Sequence, residues 1–147
     1  MLKQQQEIGQ VLMLIGRDFQ ARLDSDLRRR RVKGISARHR SVFLFLGRNG
    51  PSRAVDLATA AGIRPQSMMK IVHELESAGL VTRRDDPGDS RAKLVDFSRR
   101  GRRLIKELSD STQTVWQQYA DILGEESLEQ TLRQLKKLLT EGEQADE

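Results

Sequence analysis

The chain has 147 residues, no cysteine and a formal net charge of +5, enough length for one domain whose core needs neither a metal nor a disulfide staple. The absence of cysteine excludes disulfides, thiolate metal sites, a thiol nucleophile and a cysteine redox sensor. Charge is unevenly spread: residues 1–103 hold 22 of the 26 basic and 11 of the 21 acidic side chains, net +11, whereas residues 104–147 are net −6, an asymmetry that points to a polyanion, nucleic acid first, facing one part of the chain.

The opening MLKQQQEIGQVLMLIG has a short apolar stretch, but Glu7 and Gln10 interrupt it and no small-residue cleavage site follows, so no signal peptide is expected. No segment reaches the apolar length of a membrane span. A soluble cytoplasmic protein is expected. Ile8, Leu12, Ile15, Phe19, Leu23 and Leu27 recur at steps of three or four, the stripe of one long amphipathic helix that needs a partner. Arg28 to Arg31 then read as a solvated basic helix end, favourable to the helix dipole.

Gly34 breaks the pattern, and Ser36 is placed to N-cap a second helix carrying Val42, Phe43, Leu44 and Leu46. After Gly47, Gly50 and Pro51, the stretches SRAVDLATAAG and IRPQSMMKIVHELESAG read as two short helices joined by a turn at Gly62. Their spacing is that of a helix-turn-helix. Leu57, Ala61, Ile63, Met68, Ile71 and Leu75 face inward, Ala58 lets the helices approach, and Gly62 takes the positive φ of the turn. Arg64, Gln66, Ser67, Lys70 and His73 are left facing out, donors and acceptors suited to phosphates and base edges. Taken alone, the pair also fits an ordinary helical hairpin with a solvated polar face.

Gly79 ends that helix, and Leu80 to Thr82 and Ala92 to Phe97 read as strands around DDPGDS, the tip of a β-hairpin. This projection carries Arg83, Arg84, Arg91 and Lys93 within reach of a phosphate backbone or minor groove. Asp89 is expected to pair with Arg91 and fix its guanidinium. A helix from near Ser98 bears Leu104, Leu108, Val115, Tyr119 and Ile122, and another after Gly124 bears Leu128, Leu132, Leu135, Leu138 and Leu139. With the first helix these stripes exceed what a small winged domain can bury, which argues for a second chain over an intramolecular bundle. Trp116 and Tyr119 read as interface core. His39 and His73 are too few and too far apart for a metal site.

The order of helix, ISARHRSVFLFL helix, helix-turn-helix, LESAGLVTRRDDPGDSRAKLVDFSRRG and long terminal helices resembles the multiple-antibiotic-resistance regulator (MarR) family of winged-helix transcription factors. The likeness spans nearly the whole chain and is most specific from Leu75 to Gly101, where Asp-Pro-x-Asp-x-Arg marks the wing and FSRRG stands for the usual Leu-Thr-x-x-Gly. Phe97 and Ser98 depart conservatively, since Ser98 still N-caps the following helix. Met68 and Met69 stand where smaller residues are frequent. The resemblance implies that Arg91 is the wing arginine, that Asp89 is its acidic partner and that the face from Arg64 to Lys70 reads the major groove. It also implies a homodimer joined through the terminal helices and a small aromatic or phenolic effector between the wing domain and those helices.

The expected fold is therefore mostly α with a small β-hairpin wing: a dimerising N-terminal helix at 1–33, a winged helix-turn-helix at 34–100 and dimerisation helices at 101–147. The expected function is a homodimeric repressor on double-stranded DNA with a pseudo-palindromic operator, half-sites about 10 base pairs apart. Arg64, Gln66, Ser67, Lys70, His73, Arg84, Arg91 and Lys93 are its expected DNA contacts. No cofactor, metal or membrane is called for. The alternative is an architectural nucleic-acid binder that does not read bases. An enzyme is not expected, for the chain has no Gly-rich phosphate loop, no Gly-x-Ser-x-Gly elbow and no carboxylate pair in an apolar context.

Overall fold

The computed structural model describes residues 2–143. In chain order these form α1 (Leu2–Arg29), α2 (Ala37–Asn49), β1 (Ser52–Arg53), α3 (Ala54–Ala61), α4 (Pro65–Ser77), β2 (Val81–Asp86), β3 (Asp89–Phe97), α5 (Arg99–Leu123) and α6 (Glu125–Glu143). The strands make one antiparallel sheet in the order β1-β3-β2. The expected class, mostly helical with a small β wing, is the fold observed.

Local signals start and stop these elements. Ser36 precedes α2, and its backbone N–H donates to His39 Nδ1 at 3.3 Å, so a histidine fills the reciprocal position that Glu or Gln usually takes in a capping box. Gly62 adopts φ 65° and ψ 31°, the left-handed turn between α3 and α4. Ser98 caps α5 by accepting the Gly101 N–H at 3.0 Å, and its hydroxyl donates to the Gly79 carbonyl at 2.6 Å. That second bond ties the start of α5 to the end of α4. Gly101 lies so close to the chain entering β2 that a Cβ there would stand 2.0 Å from the Leu80 carbonyl oxygen.

The core lies where α2, α3 and α4 pack on the sheet. Phe43, Leu46, Leu57, Met68, Val72, Leu75, Val81 and Val95 are fully buried, and the rings of Phe43 and Phe97 approach with centroids 5.1 Å apart. Ala61 departs from the expected inward set: it is exposed, bordering an open cleft with Phe45 and Ala60, because the chain turns away at Gly62 before α4 can cover it. Ala58 and Val72 are buried, and Ile63 is half-buried.

Two strand features differ from the sequence expectation. β1 pairs Ser52 with Val95 and Arg53 with Leu94, an edge of only two residues with no alternation to announce it. The hairpin is also longer than expected. Asp85, Asp86, Asp89 and Ser90 belong to the strands, Asp86 pairs with Asp89, and Pro87 and Gly88 alone connect them.

Outside the winged lobe, α1 runs along α5. Asp26, 4% exposed, accepts Ser111 Oγ at 2.5 Å, Arg29 Nη2 at 2.5 Å and Arg30 Nε at 2.6 Å. Burial pushes its carboxyl up, but the bonds from Ser111, Arg30 and Arg29 together outweigh burial and hold it below the usual carboxylate range. Further along, Tyr119 donates to Asp18 at 2.8 Å, and burial followed by that bond pushes the phenol up to about 12. The remaining apolar stripes of α1, α5 and α6 face outward. Ile8 is 55% exposed, Ile15 52%, Ile122 66% and Leu139 73%.

Candidate DNA interface

The helix-turn-helix sets the orientation of α4. Arg64 is its N-cap, Pro65 occupies its first turn with a φ already suited to a helix, and the Met68 N–H makes an early helical bond to the Arg64 carbonyl at 3.0 Å. Met68, Ile71, Val72 and Leu75 are buried. The helical period then leaves Arg64, Gln66, Ser67, Lys70 and His73 exposed. All five lie outside the core, as the sequence pattern implies. His73 Nδ1 stands 4.0 Å from Glu76 Oε1, whereas Arg64 and Lys70 have no carboxylate within ion-pairing distance among the described residues.

Met69 is half-buried and borders a hollow with Val55, Arg83, Ala92 and Lys93 between α4 and the wing. The two parts of the basic surface are therefore adjacent. Their arginines are held differently. Arg83 is drawn back to α4 by a two-pronged bond to Glu76, at 3.0 and 3.1 Å, and its guanidinium holds the Glu76 carboxyl below the usual range. Arg83 thus fixes the wing root. Arg84 stands 3.9 Å from Asp96, and Lys93 is bonded to Asp85.

Asp89 contacts Arg91 otherwise than expected. Its carboxylate accepts the Arg91 backbone N–H at 3.0 Å, because a side chain two residues back on a closing strand meets the main chain first. No bond joins Asp89 to the Arg91 guanidinium, which is exposed and has no carboxylate partner among the described residues. At the tip itself, Asp86 accepts the Gly88 N–H at 2.9 Å and Arg53 Nε at 2.8 Å. Those two bonds, the Gly88 one first, hold its carboxyl below the usual carboxylate range. Arg53 therefore braces the wing from the start of α3. Sequence reasoning missed this arginine, whose partner lies 33 positions away with no local pattern linking them.

A further polar group joins α2 to α4. His39 Nε2 lies 2.8 Å from Glu74 Oε2, and Arg38 Nη2 lies 2.9 Å from the same oxygen. Because the Ser36 N–H can only donate, His39 Nδ1 accepts and Nε2 carries the proton toward Glu74. This histidine holds two helices together. Clusters of three or more metal-ligating side chains are absent among the described residues, and none of the described helices is long and apolar enough to cross a membrane.

Comparison with known proteins agrees with this architecture. Residues 33–92, from within the α1–α2 connection into β3, match the family model described as MarR family. The chain is 29% identical over 87 residues to the HTH-type transcriptional regulator FarR of Neisseria gonorrhoeae. That alignment covers 59% of this chain and 60% of the relative, so the chain spans about three fifths of that relative's length. Among solved structures, a MarR family protein from Bacillus stearothermophilus superposes with a TM-score of 0.79 at 19% identity, covering 96% of each chain. A MarR family transcriptional regulator from Rhodococcus sp. RHA1 gives 0.75 at 24% identity, covering 91% of this chain and 93% of its own. The matched stretch contains both α4 and Arg91, and over it this chain is similar to the MarR family.

Proposed function

We propose that the protein is a homodimeric, sequence-reading DNA-binding repressor that acts in the cytoplasm and performs no catalysis. The observation that carries this reading is the outward row of Arg64, Gln66, Ser67, Lys70 and His73 on a helix whose other face is fully packed. Such a helix can enter a major groove without unfolding anything. Gln66 and Ser67 supply hydrogen-bonding groups for base edges, while Arg64 and Lys70 add charge for phosphates. Arg91, without a carboxylate partner among the described residues, reaches the neighbouring backbone or minor groove. Asp89 helps by holding the wing backbone beneath that arginine. Arg84 and Lys93 contribute long-range field more than direct contact, because acids already engage them.

Two copies joined through α1, α5 and α6 cover the outward apolar stripes and present two α4 helices to successive major grooves. Occupied promoter DNA then excludes polymerase. A small aromatic effector fits the cleft between α2 and α5, about 600 Å³, bordered by Leu44, Arg48, Ile105, Thr112 and Trp116. By binding one spacing of the α4 pair better than another, it lowers operator affinity. Hydroxyl-radical footprinting on DNA upstream of the gene tests the geometry. Two protected patches about 10 base pairs apart on one face of the duplex are expected; uniform protection without phasing would favour an architectural binder.

A further inference from the structure

On the flank of α5 away from that cleft, Lys33, Arg100 and Arg103 border a second hollow of about 320 Å³. Its apolar lining comes from Val32, Ala78, Leu80 and Leu104. The single carboxylate at its edge, Glu107, is already engaged by Arg30 at 3.6 Å. Arg100 donates to the Ala78 carbonyl at 3.1 Å, and none of the three cations has a carboxylate within ion-pairing distance among the described residues. The hollow thus gathers three cations beside one occupied acid. It lies at the far end of α4 from Arg64, about 20 Å along a helix of this length, so phosphates bound by the row on α4 do not fill it.

We propose that this hollow is a binding site for a small phosphate monoester with a compact apolar body. A dianion matches the excess of positive charge, arginine offers paired donors to phosphate oxygens, and the apolar wall accepts the ester group. The site spans the α1–α2 connection, the end of α4 and the first turns of α5, so an occupant would bridge the winged lobe to the long helices. It does not depend on the DNA-binding reading, because occupancy is measured without DNA.

The test is titration calorimetry of the full chain with phenyl phosphate, phenol and inorganic phosphate. Saturable binding of phenyl phosphate at one per chain, tighter than either fragment, is expected. The variant Lys33→Gln/Arg103→Gln, which changes only exposed side chains, should weaken it by about tenfold or more, while Arg133→Gln on α6 should leave it unchanged. Absence of saturable binding at millimolar ligand overturns the proposal, as does equal weakening by Arg133→Gln. Phenol binding as well as phenyl phosphate would show that the charge is unused, and inorganic phosphate binding as well would show that the apolar wall is. Loss of duplex affinity in the double variant with phenyl phosphate binding intact would reassign these cations to DNA.

Discussion

Arg91 and Lys93 carry the same charge on the same strand, but among the described residues only Lys93 has a carboxylate bonded to it. Removing a cation that is already neutralised forfeits less counterion release on DNA binding than removing a free one. Arg91→Ala should therefore weaken duplex binding by about tenfold at moderate salt and flatten its salt dependence by about one unit of slope. Lys93→Ala should do distinctly less. Anisotropy titrations at several salt concentrations check this, and equal losses would contradict the assignment. The sequence made both charges legible but not their pairing, because Asp89 is nearer than Asp85 to both in the chain and yet is not the acid that Lys93 meets. Only the strand register, with Asp85 opposite Lys93 and Asp86 opposite Asp89, decides which acid meets which base. Asp26 belongs to the same scale. Its covered carboxylate binds Arg29 and Arg30 at the end of α1 and Ser111 across the α1–α5 contact, so Asp26→Asn should cost about 1–3 kcal/mol at neutral pH. Because its pKa is lowered on folding, that stabilisation is in place at neutral pH and disappears as pH falls from the ordinary carboxylate range through the depressed value. Parent and variant should then converge in thermal stability in acid; a constant gap would contradict the linkage.

Elements meet here through glycines as much as through side chains. At Gly62 the turn of the helix-turn-helix requires φ 65°, and Gly62→Ala should cost about 1–2 kcal/mol for the left-handed backbone while leaving the contacts of α3 and α4 unchanged. Gly101 is a different case. Its backbone is helical, and the cost of a side chain comes from collision with the Leu80 carbonyl, a main-chain atom that cannot rotate aside. Gly101→Ala should therefore lower stability by about 1–3 kcal/mol and loosen the joint between α5 and the winged lobe, seen as faster amide exchange at Leu80 and Ser98. Unaltered exchange would contradict that close approach. Gly62 was legible because two helical periodicities flank it. The tightness at Gly101 was not, since it depends on where β2 comes to lie against α5. β1 escaped detection for a related reason: two residues show no alternation, and only pairing with Val95 and Leu94 makes them a strand.

At the scale of the whole molecule, three long helices carry a basic lobe. The long helices were readable from their three-and-four spacing, and the structure shows which part of each stripe the chain covers for itself. Leu23, Leu27, Leu108 and Val115 are buried, whereas Ile8, Leu12, Ile15, Leu135 and Leu139 remain open. Intrachain packing therefore ends partway along α1, and a second copy is the occupant we propose for the rest. Ile15→Glu/Leu139→Glu should give a folded monomer by sedimentation with DNA affinity lowered by about a hundredfold or more, since each half-site then binds alone. A dimer that survived both charges would place the interface elsewhere. The central claim is that α4 reads sequence, and fluorescence anisotropy of the chain on duplex from its own upstream region, beside a scrambled duplex at one near-physiological salt, tests it most directly. A preference of about a thousandfold or more is the result expected; near-equal affinities for these two duplexes would contradict it.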